Sequence, residues 1–96
     1  MVTYEIDGAD FSTLDEFYDQ ISRVLLAGVY WGRNLDAFND VLRGGFGTPE
    51  DGFTLRWKNH ELSQQRIPEF KTLVEIIREH GDDGSESEDN VKLVLD

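Results

Sequence analysis

Three short stretches of this chain carry the signature of β-strands, and sequence with helical periodicity separates each from the next. Val2, Tyr4 and Ile6 alternate with Thr3 and Glu5, a period-two pattern that Asp7-Gly8 closes as a turn. Phe53, Leu55 and Trp57 alternate in the same way with Thr54 and Arg56, and Val91-Lys92-Leu93-Val94-Leu95 is apolar at nearly every position. Strands joined through helical crossovers pair in parallel with right-handed connections, and a strand apolar on both faces suits a parallel sheet. The expected fold is therefore α/β, a three-stranded parallel sheet packed by about four helices in the order β-α-α-β-α-α-β.

The helical stretches carry their own start and stop signals. Ser12 or Thr13 offers an N-cap, with Asp15 or Glu16 three residues on, and Leu14, Phe17, Tyr18, Ile21 and Leu25 form one apolar stripe before a stop at Gly28. Asn34 caps a second, short helix running through Arg43, with Leu35, Phe38, Val41 and Leu42 facing inward. The stretch from Gly44 to Gly52 is a glycine-rich loop. Asn59 caps a short helical turn through about Gln65, and Pro68 suits the first turn of a last helix. Phe70, Leu73, Val74 and Ile77 give that helix its buried stripe, with Gly81 as its C-cap.

Eleven aromatic residues among 96 supply one compact core, so residues 1–96 are read as a single domain and not as a disordered chain. Twenty acidic residues stand against nine basic ones, a formal charge of −11. Phosphate backbones and anionic membranes repel such a surface, which argues against nucleic-acid and membrane binding. The same field steers a basic protein partner inward, although charge that serves only solubility remains the plainer alternative. There is no cysteine. The first residues have neither the basic nor the apolar region of a signal peptide, and no apolar run approaches the roughly 20 residues of a membrane span. A cytoplasmic protein is expected.

The most informative stretch is Tyr30-Trp31-Gly32-Arg33-Asn34-Leu35-Asp36-Ala37-Phe38-Asn39-Asp40-Val41-Leu42-Arg43-Gly44. With its apolar positions turned inward, the second helix presents Asp36, Asn39, Asp40 and Arg43 outward. Asp36 and Asp40 are four apart, where like charges destabilise a helix by a few tenths of a kcal/mol (about 0.2–0.5). Asp36 gains some of that back from the helix N-terminus, and Arg43 can relieve Asp40 at a spacing of three. Taken alone, such a pair reads as a solvated helix face, and its neighbours weigh against that. Beside Tyr30 and Trp31, amphipathic residues of the kind enriched at interface hot spots, the carboxylates can imitate a phosphate that meets an arginine fork. Gly44, Gly45 and Gly47 let another chain approach the backbone closely.

The segment from Tyr30 to Asp40 closely resembles the signature helix of the barstar family, intracellular inhibitors of barnase-type bacterial ribonucleases. The Asp7-Gly8 turn, the Leu55-Arg56-Trp57 strand, the Arg78-Glu79 pair and the apolar final strand fall in the order that family shows. The resemblance implies a non-enzymatic protein that binds a basic microbial ribonuclease one to one and occludes its active site. In the family, the aspartate matching Asp40 enters the catalytic pocket and the one matching Asp36 pairs with a basic residue of the enzyme. The tyrosine matching Tyr30 packs on the catalytic histidine, while the backbone around Gly44 and the glutamate matching Glu79 add peripheral contacts. Trp31, Asn34, Asn39 and Arg43 complete the expected partner-binding set. The chain departs from the family pattern in lacking its cysteines and in placing Asn39 and Gly45 where tryptophans stand. Its Gly45–Gly52 loop is also about three residues longer. The aromatic wall beside the acidic helix therefore differs, and other guanyl-specific ribonucleases fit as well as barnase does. A rival reading is a non-inhibitory acidic module that holds another basic protein.

No cofactor or metal is implied. His60 and His80 are twenty apart with no third soft ligand, so both are read as exposed helix histidines and not as zinc ligands. The run Asp82-Asp83-Gly84-Ser85-Glu86-Ser87-Glu88-Asp89 lacks the spacing of a calcium loop and reads as solvated. Nucleophile elbow, phosphate-binding glycine fingerprint and metal motif are all missing, and a paired-carboxylate glycosidase needs a sugar cleft that so small a domain has little room for.

Overall fold

The computed structural model describes residues 2–44, 46–49, 51–81 and 90–96, so the acidic run 82–89 lies outside the described residues. Strand β1 (Val2–Asp7) leads through a 3-10 turn (Gly8–Asp10) into helix α1 (Leu14–Val24), and α2 (Leu35–Leu42) follows. Strand β2 (Phe53–Lys58) precedes α3 (His60–Arg66) and α4 (Phe70–Arg78), and β3 (Val91–Leu95) is the last strand. The strands pair in parallel in the order β1-β2-β3, with Tyr4 opposite Leu55 and Leu55 opposite Leu93. The α/β architecture is the expected one.

The register explains which side of the sheet is wet. Ile6, Phe53, Leu55, Trp57, Val91 and Leu93 share the buried face. Thr3, Glu5, Arg56, Lys58 and Lys92 lie on the other, exposed to solvent. There Arg56 spans the strands, pairing with Glu5 at 3.9 Å and with Asp96. The expectation of a last strand buried on both faces is thereby corrected: Val94 sits half-buried on this outer side.

The core is built on aromatic contacts. Trp57 stacks on Phe17 at 5.1 Å and meets Phe70 edge-on at 5.1 Å, while its indole N–H donates to the buried Ser63 hydroxyl at 3.0 Å. Phe17 in turn meets Phe38 at 5.4 Å, Phe38 lies 6.4 Å from Trp31, and Trp31 meets Tyr18 edge-on at 5.3 Å. Edge-on and offset geometries of this kind add to the area buried. A continuous aromatic seam thus runs from the middle of the sheet, through α1, to α2 and the loop before it.

Helix boundaries follow the capping signals with a few corrections. The Thr13 hydroxyl accepts from the Glu16 N–H at 3.1 Å, while the Glu16 carboxylate reaches back to the Ser12 N–H at 3.0 Å. Hydrogen bonds from Ser12, its N–H first and its hydroxyl second, hold the Glu16 carboxyl below the usual carboxylate range. Helix α1 ends at Val24, before Gly28, whose N–H closes a turn on the Ser22 carbonyl at 3.0 Å. Asn59 occupies the N-cap position of α3 without capping it: its backbone is left-handed, φ 53°, and its side-chain amide donates to Asp7 at 2.7 Å. Pro68 lies before α4 and not inside it, and Glu79 instead of Gly81 is the C-cap.

Candidate functional site

Helix α2 is only eight residues long, and its position is set by what holds its ends and its back. At the N-terminus the Asn34 side-chain oxygen accepts from the Ala37 N–H at 2.8 Å, which satisfies one of the donors a helix start leaves open. Asn34, expected as a partner contact, is committed through that oxygen to capping. At the C-terminus the Gly44 N–H reaches the Val41 carbonyl at 3.1 Å, with Gly44 at φ +90°. The same carbonyl accepts from the buried Thr48 hydroxyl at 3.1 Å, so the glycine-rich loop folds back and clamps the helix end.

Phe38, Val41 and Leu42 are buried, and the helix turns Asp36, Asp40 and Arg43 to solvent. Asp36 lies in the first turn, where the helix dipole favours a negative charge. Asp40 is 59% exposed and sits 3.8 Å from the Arg43 guanidinium, a loose pair that leaves the carboxylate open to a better partner. Asn39, on the same side, is half-buried, and its side-chain oxygen lies 2.6 Å from the His80 Nε2. His80 is itself only 4% exposed, so the expectation of an exposed histidine is corrected. It follows the exposed Glu79 at the end of α4, and its contact with Asn39 brings that end of α4 against the acidic helix.

The loop before α2 separates two residues that the sequence pattern groups together. Tyr30 is 82% exposed, whereas Trp31 is 2% exposed and donates its indole N–H to the Ser22 hydroxyl at 2.7 Å. Trp31 is a core residue and not an outward anchor: its ring lies in the aromatic seam, with no face left for a partner. The chain then passes Gly32 at φ +94°, where an added Cβ would press on Ala37 at 3.2 Å, and Arg33 at φ 50°. The left-handed conformation is costly for arginine, about 1–2 kcal/mol. Its guanidinium is held by Asp19 at 2.8 Å and by the Asp15 carboxylate and carbonyl at 3.0 Å each. Hydrogen bonding to Asp15 and then Asp19 raises the Arg33 pKa further above its already high value. Arg33 and His80 are thus parts of the site that sequence reasoning passed over. The i, i+4 pair Asp15 and Asp19 on the exposed side of α1 was the available signal for the first; nothing local signalled the second.

The arrangement offers carboxylates, an exposed phenol and accessible glycine backbone. Among the described residues no group of three or more His, Cys, Asp or Glu side chains is arranged to hold a metal ion, and no helix is long and apolar enough to cross a membrane. An acidic helix locked at both ends suits the recognition of a basic protein surface.

The chain matches the barstar family, described as barstar (barnase inhibitor), over residues 1–96. It is 33% identical over 92 residues to the Bacillus subtilis (strain 168) protein named "Putative ribonuclease inhibitor YrdF", a match covering 95% of this chain and 94% of that protein. The chain belongs to the barstar family. Members of that family are inhibitors and not enzymes, and the chain is accordingly non-catalytic.

Proposed function

We propose that residues 1–96 act as one domain that inhibits a basic, guanyl-specific microbial ribonuclease by binding it one to one and covering its active site with the outer side of α2. The observation that carries this reading is the exposure of Asp36 and Asp40 on a short helix whose back and both ends are fixed. Asp40 takes the place of a substrate phosphate among the enzyme's basic residues, and its weak pair with Arg43 costs little to break. Asp36 pairs with a second cation nearby, and Tyr30 supplies an aromatic contact. The backbone at Gly44, the side chains of Asn39 and Arg43, and Glu79 form the surround. Such a protein works inside the producing cell, guarding its RNA until the ribonuclease is exported.

The test is a titration of this protein into barnase and related guanyl-specific ribonucleases, following RNA cleavage with wild type and with Asp40→Ala. Loss of cleavage at one equivalent, which the variant fails to reproduce, is expected. Binding without loss of cleavage would favour the non-inhibitory acidic module, since such a tether never touches the catalytic pocket.

A further inference from the structure

Resting on that reading, we propose that His80 is a positioning residue for recognition: its Nε2–H, bonded to Asn39, fixes the rotation of α2 about its own axis and so aims Asp36 and Asp40.

A helix of two turns does not hold its shape alone in water, since isolated helices shorter than about 12–15 residues are marginal. Caps secure the ends of α2 and the buried Phe38, Val41 and Leu42 anchor its back, which leaves the fine rotation of its outer side to a polar grip on the flank. Asn39 is three residues after Asp36 and one before Asp40, so a grip on its side chain sets the direction of both carboxylates. His80 is well placed to supply that grip. Its N–H donates to the Ile77 carbonyl at 3.1 Å, and its own carbonyl accepts from the Val91 N–H at 2.9 Å. The residue is thereby tied both to the end of α4 and to the start of β3, which makes it an extension of the sheet's frame. Its ring is buried, and Nε2 meets the Asn39 oxygen at 2.6 Å.

The chemistry assigns the proton. The Asn39 side-chain oxygen can only accept, so Nε2 carries the hydrogen. Holding the carboxylates in their binding direction before the partner arrives removes an ordering cost from association, and a contact residue needs this kind of support from behind.

The experiment compares wild type with His80→Leu, which keeps bulk without a donor, and His80→Gln, which restores an N–H donor of similar reach. All are studied under conditions where each variant is folded. In the free protein, amide hydrogen exchange in α2 should quicken by about 5- to 10-fold in His80→Leu, the worth of one buried hydrogen bond, with β2 quickening by no more than that and His80→Gln staying near wild type. A long-range proton–nitrogen spectrum should show His80 with its hydrogen on Nε2. Affinity for a ribonuclease that wild type inhibits should fall by a similar factor in His80→Leu and recover in His80→Gln. Unchanged α2 exchange, a hydrogen on Nδ1 alone, or unchanged affinity despite faster exchange would each overturn the positioning role. Failure of wild type itself to bind any ribonuclease would instead overturn the inhibitor reading and the role in recognition with it. The exchange data on the free protein would still decide whether His80 holds the helix.

Discussion

Tyr30 and Trp31 are neighbours that should respond to substitution in opposite ways. Trp31→Ala removes a buried indole from contact with Tyr18 and Phe38 and deletes its bond to Ser22. Truncations of this kind cost about 3–5 kcal/mol. With a urea m-value of about 1 kcal/mol/M, the unfolding midpoint should fall by roughly 3 M or more, enough to unfold a domain of modest stability. Trp31→Phe is the sharper probe. It keeps an aromatic ring in the seam but loses the 2.7 Å bond, and because Ser22 is half-buried its freed hydroxyl can turn to water. The expected loss is about 1–2 kcal/mol, or 1–2 M in midpoint, read by far-ultraviolet circular dichroism. Affinity of the folded variant for its ribonuclease should stay within about threefold, a binding change below roughly 1 kcal/mol. Tyr30→Ala should do the reverse, leaving stability within about 0.5 kcal/mol and weakening binding by about tenfold or more. A Trp31→Phe variant of unchanged stability that binds ten times more weakly would refute the placement of Trp31 in the core.

The other expectations concern the site, the core and pH. In binding, Asp40→Ala should be the most costly substitution, at about 2 kcal/mol or more, ahead of Asp36→Ala and Tyr30→Ala, with Glu79→Ala least; interface hot spots set that range, and the barstar family itself supplied a reference case. Stopped-flow association should be fast at low salt and slow as salt screens the acidic field, while dissociation changes little. Gly8→Ala should lower the urea midpoint by at least about 1 M, because the new Cβ would lie 2.4 Å from the Asn59 carbonyl oxygen and 2.6 Å from the Ser63 hydroxyl. Burial first, and the Glu69 carboxylate second, push the Tyr18 hydroxyl above its usual value of 10.0, with Arg33 opposing. The folded state therefore favours the neutral phenol, and that contribution is whole below the unfolded value and lost as pH rises through the folded one. Wild type should lose stability more steeply above pH 10.0 than Tyr18→Phe, as urea midpoints across alkaline pH will show.

Much of this architecture was open to reading because each strand and helix repeats its own rule. Phe53, Leu55 and Trp57 alternate with Thr54, Arg56 and Lys58, and the buried and wet faces of β2 follow that alternation. Asp36 and Asp40 were legible for the same reason, since Phe38, Val41 and Leu42 claim the inner side of α2. The final strand was placed at Val91–Leu95, but its wet face was not legible, because five residues that are apolar nearly throughout carry no period to show that one face meets water. Trp31 failed for a related cause. Val29, Tyr30 and Trp31 are all apolar, and which of them enters the core depends on the turn through Ala27 and Gly28, both at positive φ. His80 lies just past the last turn of α4, where helical spacing no longer indicates direction, and its contact with Asn39 of α2 joins residues 41 apart in the chain.

The most direct test of active-site occlusion is competition. A guanine mononucleotide that fills the catalytic pocket of the inhibited ribonuclease should raise the apparent dissociation constant of this protein linearly with nucleotide concentration, in inverse proportion to the fraction of enzyme left empty, with no ternary complex at saturation. Equal affinity for the free and the nucleotide-filled enzyme would mean that Asp36 and Asp40 bind outside the pocket, and would contradict the account.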